Sequence, residues 1–112
     1  SFMSPEQISG KPVDGRSDLY SLAVMFFKML TGRLPFEGAT LTELMYKIAN
    51  ADPNSLALFR QDLPANYEHF MAKALAKKAN DRYQTGAEFA SALAQLGHNG
   101  DDEANAPDIS LV

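Results

Sequence analysis

Ser17-Asp18-Leu19-Tyr20-Ser21-Leu22-Ala23-Val24-Met25-Phe26-Phe27-Lys28-Met29-Leu30-Thr31-Gly32 is the stretch on which the fold turns. From Leu19 to Leu30 the only polar residues are Tyr20, Ser21 and Lys28. The run predicts a helix over 17–31. Ser17 is its expected N-cap, Asp18 suits the positive N-terminal end of the dipole, and Gly32 can close the C-terminus. A helix that is apolar on most of its circumference is expected to be central and buried. It is too short to cross a bilayer, and no other apolar run comes near the roughly 18 residues such a span needs.

Three amphipathic helices follow downstream. Thr40 and Glu43 stand at capping-box spacing, with Leu41, Leu44, Met45 and Ile48 at i, i+3, i+4 and i+7, which predicts a surface helix over 40–50. Ala51-Asp52-Pro53-Asn54 ends it, and residues 55–59 have room for one short turn. Asn66 is the expected N-cap of a helix over 67–77, whose stripe is Tyr67, Phe70, Met71, Ala74 and Leu75; Lys77 and Lys78 fall at its C-terminal end. Thr85 and Glu88 form a second capping-box pair, Phe89, Ala92, Leu93 and Leu96 make the stripe, and Gly97 stops the helix over 86–96. With only three Val and three Ile and no sustained apolar/polar alternation, a sheet is not expected. The expected class is all-α.

The length of 112 residues allows one domain. The 46% hydrophobic content is enough for one modest core. Charge divides the chain in two. The formal net charge is −4, and residues 98–112 hold Asp101, Asp102, Glu103 and Asp108 with no Lys or Arg. The remainder therefore carries ten acids against ten bases. The expected organisation is a folded part over 1–97 and an acidic, disordered tail over 98–112. A neutral body with an acidic tail offers no electrostatic footprint for nucleic acid or an anionic membrane. The absence of cysteine excludes a disulfide framework and a thiolate metal site, and fits a reducing compartment. No signal peptide is visible at the start, and a chain opening on Ser1 rather than Met is expected to be a processed, truncated or tagged piece.

The residues of common catalytic sites are missing. His69 and His98, the only histidines, are not in a zinc-binding spacing, and His69 falls on the polar side of its helix. There is no G-x-S-x-G, S-x-x-K, G-x-G-x-x-G or Walker pattern. Asp101-Asp102-Glu103 reads as a solvated acidic run rather than an acid/base pair. No catalytic or metal-ligating residue is expected in this chain.

Three segments nonetheless resemble one family. Met3-Ser4-Pro5-Glu6-Gln7 looks like the A-P-E element that closes the activation segment of protein kinases. Its Ser-Pro-Glu-Gln form resembles bacterial, eukaryotic-like serine/threonine kinases. The stretch from Asp14 through Ser17-Asp18-Leu19-Tyr20-Ser21 to Leu30-Thr31-Gly32-Arg33-Leu34-Pro35-Phe36 is similar to the family's S-D-x-Y/W-S-x-G helix and L-T-G-x-x-P-F turn. Ala76-Lys77-Lys78-Ala79-Asn80-Asp81-Arg82-Tyr83 resembles the segment that ends in Arg before the family's last helix. Ala23 stands where Gly is common and Ala79 where Pro is common.

The resemblance implies the helical lower part of a kinase C-terminal lobe, the four helices matching the family's F, G, H and I helices. It implies that Glu6 pairs with Arg82, which would fix where the activation segment ends. Asp18 resembles the Asp that accepts backbone hydrogen bonds from the catalytic loop, and without that loop it would act only on the helix dipole. Phe2, Met3 and Ser4 would lie where a protein substrate docks. Kinases also need a Gly-rich loop, a strand Lys with its helix Glu, H-R-D-x-x-x-x-N and D-F-G. None of these is present, and in the family all precede the A-P-E element. The parent protein is then expected to be a cytoplasmic, ATP- and Mg-dependent kinase of protein substrates, with any membrane anchor outside this segment. The chain itself is expected to bind no ATP and to be inactive. Its partner would be the N-terminal portion of the kinase domain, or a second copy packed on the first helix. The alternatives are a non-catalytic, pseudokinase-like interaction module and an unrelated helical adaptor.

Overall fold

The computed structural model describes residues 2–96, so Gly97, His98 and the acidic stretch lie outside the described residues. The elements are α1 (Pro5–Ser9), α2 (Gly15–Thr31), α3 (Leu41–Asn50), a 3₁₀ turn (Leu56–Leu58), α4 (Ala65–Ala74), a second 3₁₀ turn (Ala79–Asp81) and α5 (Gly86–Ala94). There is no strand among the described residues. Among the described residues no helix is long and apolar enough to cross a membrane.

The core forms on one side of α2. Tyr20, Ala23, Val24 and Phe27, at i, i+3, i+4 and i+7, are all buried. Phe70, Met71 and Ala74 of α4 and Phe89 of α5 complete it. Phe70 is the hub of its aromatic part: it meets Phe26 edge-on at 5.9 Å, Phe89 edge-on at 5.2 Å and Tyr83 stacked at 5.4 Å. The opposite side of α2 departs from the expectation of burial all round. Leu22, Met25 and Met29 are 45%, 46% and 76% exposed and form a single apolar stripe at i, i+3 and i+7.

Several helix ends differ from the sequence expectation. The N-cap of α2 is Asp14, whose side chain accepts from the Arg16 N–H, and not Ser17. The helix begins earlier because Asp14 offers an equally good cap and leaves Ser17 free to face inward. At α4 the cap position is Pro64, Asn66 lies inside the helix, and the helix ends at Ala74. Lys77 and Lys78 therefore lie beyond it, with Lys73 in its last turn. Thr40 and Thr85 do cap α3 and α5, accepting from the N–H of Glu43 and Glu88 at 3.1 Å each. α5 ends at Ala94, short of Leu96, which is still buried.

Helix α1 was not foreseen. Ser4 caps it through a full capping box, in which its hydroxyl accepts from Gln7 N–H and the Gln7 side chain accepts from Ser4 N–H. Pro5 supplies a preset φ in the first turn, and Gly10, at φ 71°, closes the helix in a left-handed conformation that other residues seldom adopt.

Candidate functional site

Arg82 is the most fully enclosed charged side chain among the described residues, at 2% exposure. It follows the Ala79–Asp81 turn in extended backbone, which aims its side chain back under α1 and α2. Its Nη1 and Nη2 donate to Oε2 and Oε1 of Glu6 at 2.6 and 2.7 Å. This is the two-pronged geometry that a planar guanidinium makes with a carboxylate. The remaining donors are also used: Nε bonds Ala76 O at 2.7 Å, Nη2 bonds Lys77 O at 3.0 Å and Nη1 bonds Arg16 O at 3.4 Å. The guanidinium carbon lies 4.8 Å from the centre of the Tyr20 ring.

Glu6 is held from a second direction. Ser17 Oγ donates to its Oε2 at 2.5 Å, which explains why Ser17 is buried rather than capping. The hydrogen bonds from Arg82 outweigh burial and, with that from Ser17, hold the Glu6 carboxyl down to about 2. Burial pushes the Tyr20 phenol well above its usual range. One junction thus joins α1, the start of α2 and the turn before α5.

The other residues singled out in the sequence are dispersed around it. Ser4 and Pro5 are buried in the cap of α1. Phe2 and Met3 are 41% and 42% exposed, and Phe2 O accepts from Ser21 Oγ at 2.5 Å, which lays this segment along α2. Asp18 is exposed in the first turn of α2 and makes no hydrogen bond or ion pair with the described residues. Lys77 was missed. Its Nζ donates to Ile48 O at 2.8 Å, serving the C-terminal end of α3 and not that of its own neighbouring helix. Burial lowers its amine to about 8. No cluster of three or more His, Asp or Glu capable of holding a metal occurs among the described residues.

Residues 1–95 match the family described as the protein kinase domain. The chain belongs to the protein kinase domain family. It is similar to the serine/threonine-protein kinase PknB of Mycobacterium tuberculosis, 39% identical over 100 residues, covering 89% of this chain and 16% of that protein. It is also similar to the serine/threonine-protein kinase Pkn1 of Myxococcus xanthus, 43% identical over 94 residues, 82% of this chain and 13% of the relative. Among solved structures, the twitchin kinase region of C. elegans superposes with a TM-score of 0.68 at 28% identity, over 73% of this chain and 14% of that one. The chain thus spans about a sixth of the length of PknB. The helices described above are the helical part of a kinase C-terminal lobe, of the bacterial serine/threonine type.

Proposed function

We propose that this chain is the C-terminal helical part of a bacterial kinase that transfers phosphate from Mg-ATP to serine or threonine of protein substrates in the cytoplasm. The observation that carries the reading is the enclosed Glu6–Arg82 pair, with both prongs at 2.7 Å or less. It anchors Ser4-Pro5-Glu6 to the body of the helical unit. Phosphoryl transfer depends on positioning and electrostatics, so a fixed end for the activation segment is a catalytic requirement met at a distance. Glu6, Arg82, Ser4, Pro5 and Asp18 are structural residues in this reading, none of which touches the reacting atoms. Phe2, Met3 and Ser4 form the rim against which a substrate segment docks.

The nucleotide and metal groups belong to preceding parts of the kinase domain. Those parts also cover Leu22, Met25 and Met29 of α2, and a second copy is the alternative cover when they are missing. A non-catalytic interaction role is the other reading, favoured by Leu41 and Tyr46, which stand 69% and 66% exposed on α3. Phosphate transfer from labelled ATP to a protein substrate by the longer protein tests the proposal. Activity that falls at least tenfold with Arg82→Met supports it. A longer protein lacking the Asp residues of H-R-D and D-F-G, and inactive, would establish the interaction role instead.

A further inference from the structure

Lys77 is the one residue that lines both of two adjoining clefts. The first, of about 550 Å³, is open and lies between α1, the C-terminal end of α3 and the turn before α5. The second, of about 350 Å³, lies between residues 52–55 and α4, and Pro53, Met71, Ala72 and Leu75 give it a largely apolar wall. The Lys77 side chain is half-buried between them. Its Nζ donates to Ile48 O at 2.8 Å and to Lys47 O at 3.4 Å, and lies 4.3 Å from the centre of the Phe36 ring. It forms no ion pair among the described residues.

These contacts suit the neutral amine. A neutral amine has two N–H groups, and the two carbonyls take up both. An ammonium has a third, which has only the ring to meet. The surrounding charges and burial favour the same form. Burial lowers the amine to about 8, outweighing the attraction of Asp52, and Arg82 acts in the same direction as burial. Glu6 is bound to Arg82, and Glu43 is paired with Lys47 at 3.4 Å. At pH 7.5 about a quarter of the Lys77 amines are therefore neutral, against roughly one in a thousand for an ordinary lysine. A desolvated amine with a free lone pair, on the wall of two clefts, is an activated nucleophile.

We propose that Lys77 is a covalent modification site that takes a short acyl group from an acyl phosphate or a thioester, the acyl chain coming to rest against Met71, Ala72 and Leu75. The Nζ lone pair forms the N–C bond to the acyl carbonyl carbon. The C–O or C–S bond breaks with its electron pair on the phosphate or thiolate, and the amine proton passes to water. The product amide is neutral and keeps one N–H, so one of the two carbonyls loses its donor. The modification is thus felt at the C-terminal end of α3, the helix that bears the exposed Leu41 and Tyr46. The inference is independent of the kinase reading, because it rests only on the amine, its contacts and the clefts.

The full 112-residue chain carries its own controls, since Lys11, Lys28, Lys47, Lys73 and Lys78 compete for the same reagent. Trace labelling with acetyl phosphate and, in parallel, with a simple acetyl thioester is read by peptide mass spectrometry, with fragment ions separating Lys77 from Lys78. Nucleophilicity falls somewhat as basicity falls, so the expected excess at Lys77 over exposed Lys11 and Lys78 at pH 7.5 is about tenfold. Its rate should be half-maximal near pH 8, while theirs keep rising toward pH 10. In 8 M urea the excess should vanish. An excess with either reagent supports the proposal, and the reagent giving the larger one identifies the donor class. Labelling of Lys77 no faster than that of Lys11 and Lys78 with both reagents would overturn it. So would a Lys77 rate that climbs in parallel with theirs beyond pH 9, or an excess that survives in urea.

Discussion

Replacing Arg82 by alanine removes five hydrogen bonds at once and leaves a carboxylate behind. Glu6, 11% exposed, would keep only the Ser17 hydroxyl as a side-chain donor, and the carbonyls of Ala76 and Lys77 would lose theirs. Breaking one side of an enclosed ion pair costs about 3–5 kcal/mol, most of it the penalty of the charge left unpaired. A second route gives a similar figure. The fall of the Glu6 carboxyl from 4.5 to about 2 corresponds to about 3 kcal/mol of stabilisation of the folded state. That contribution is fully present above pH 4.5 and is lost as the pH falls from there through about 2. Urea unfolding followed by circular dichroism at pH 7 should therefore show Arg82→Ala less stable by about 3 kcal/mol or more. Arg82→Lys, which retains the charge but not the fork, should lose less. At pH 3 the stranded Glu6 of the alanine variant can take up a proton, so its deficit against the parent should shrink. A loss below about 1 kcal/mol at pH 7 would refute the reasoning, because it would place the pair among ordinary surface pairs. A deficit that is the same at pH 7 and pH 3 would also refute it.

Titration of this chain with Mg-ATP should give no heat and no change in melting temperature, and a measurable affinity would contradict the assignment of the nucleotide site to preceding residues. Sedimentation at micromolar concentration should show self-association through the Leu22, Met25 and Met29 stripe, because re-covering a few hundred Å² of apolar surface is worth several kcal/mol. Met25→Glu/Met29→Glu should restore a species near 12.2 kDa, and a parent already at that mass would refute the idea. Gly38→Ala should destabilise by about 1–3 kcal/mol in thermal unfolding, since its Cβ would come within 2.7 Å of the Leu44 backbone nitrogen, which no side-chain rotation can relieve. Tyr20→Phe should leave stability unchanged or raise it, because the buried phenol oxygen has no hydrogen-bond partner among the described residues; a loss above about 2 kcal/mol would mean that it has one.

The helices were legible wherever one residue's chemistry sufficed. Thr40 and Thr85 each stand three residues before a Glu and an apolar stripe, and both cap where that pattern puts them. Glu6 and Arg82 were legible only as family motifs, since nothing local to either residue announces a partner 76 positions away. Errors arose where two readings competed for one residue. Ser17 has the chemistry of a cap, but Asp14 takes that role and Ser17 turns to Glu6. Lys77 looks like the dipole partner of the helix before it, yet its amine reaches α3. Those outcomes depend on tertiary neighbours, which a periodicity argument does not contain. The α1 cap is different, because Ser4 and Gln7 with Pro5 between them are a complete local signal. Even the α2 stripe follows this division: its residues are apolar by composition, but which side is covered depends on what else is folded around it.

The separation of Glu6 from Arg82 also bears on the order of folding. Most contacts that build the helices join residues three or four apart, whereas this pair closes a loop of 76 residues. Closing such a loop in an otherwise unstructured chain costs about 4 kcal/mol of entropy. The pair is thus expected to form after α2, α4 and α5 have come together, when most of that loop has already been drawn in. A contact made late in folding is broken early in unfolding, so its strength acts mainly on the rate of escape from the native state. The guanidinium of Arg82 would then set the lifetime of the folded state more than the speed with which it is reached.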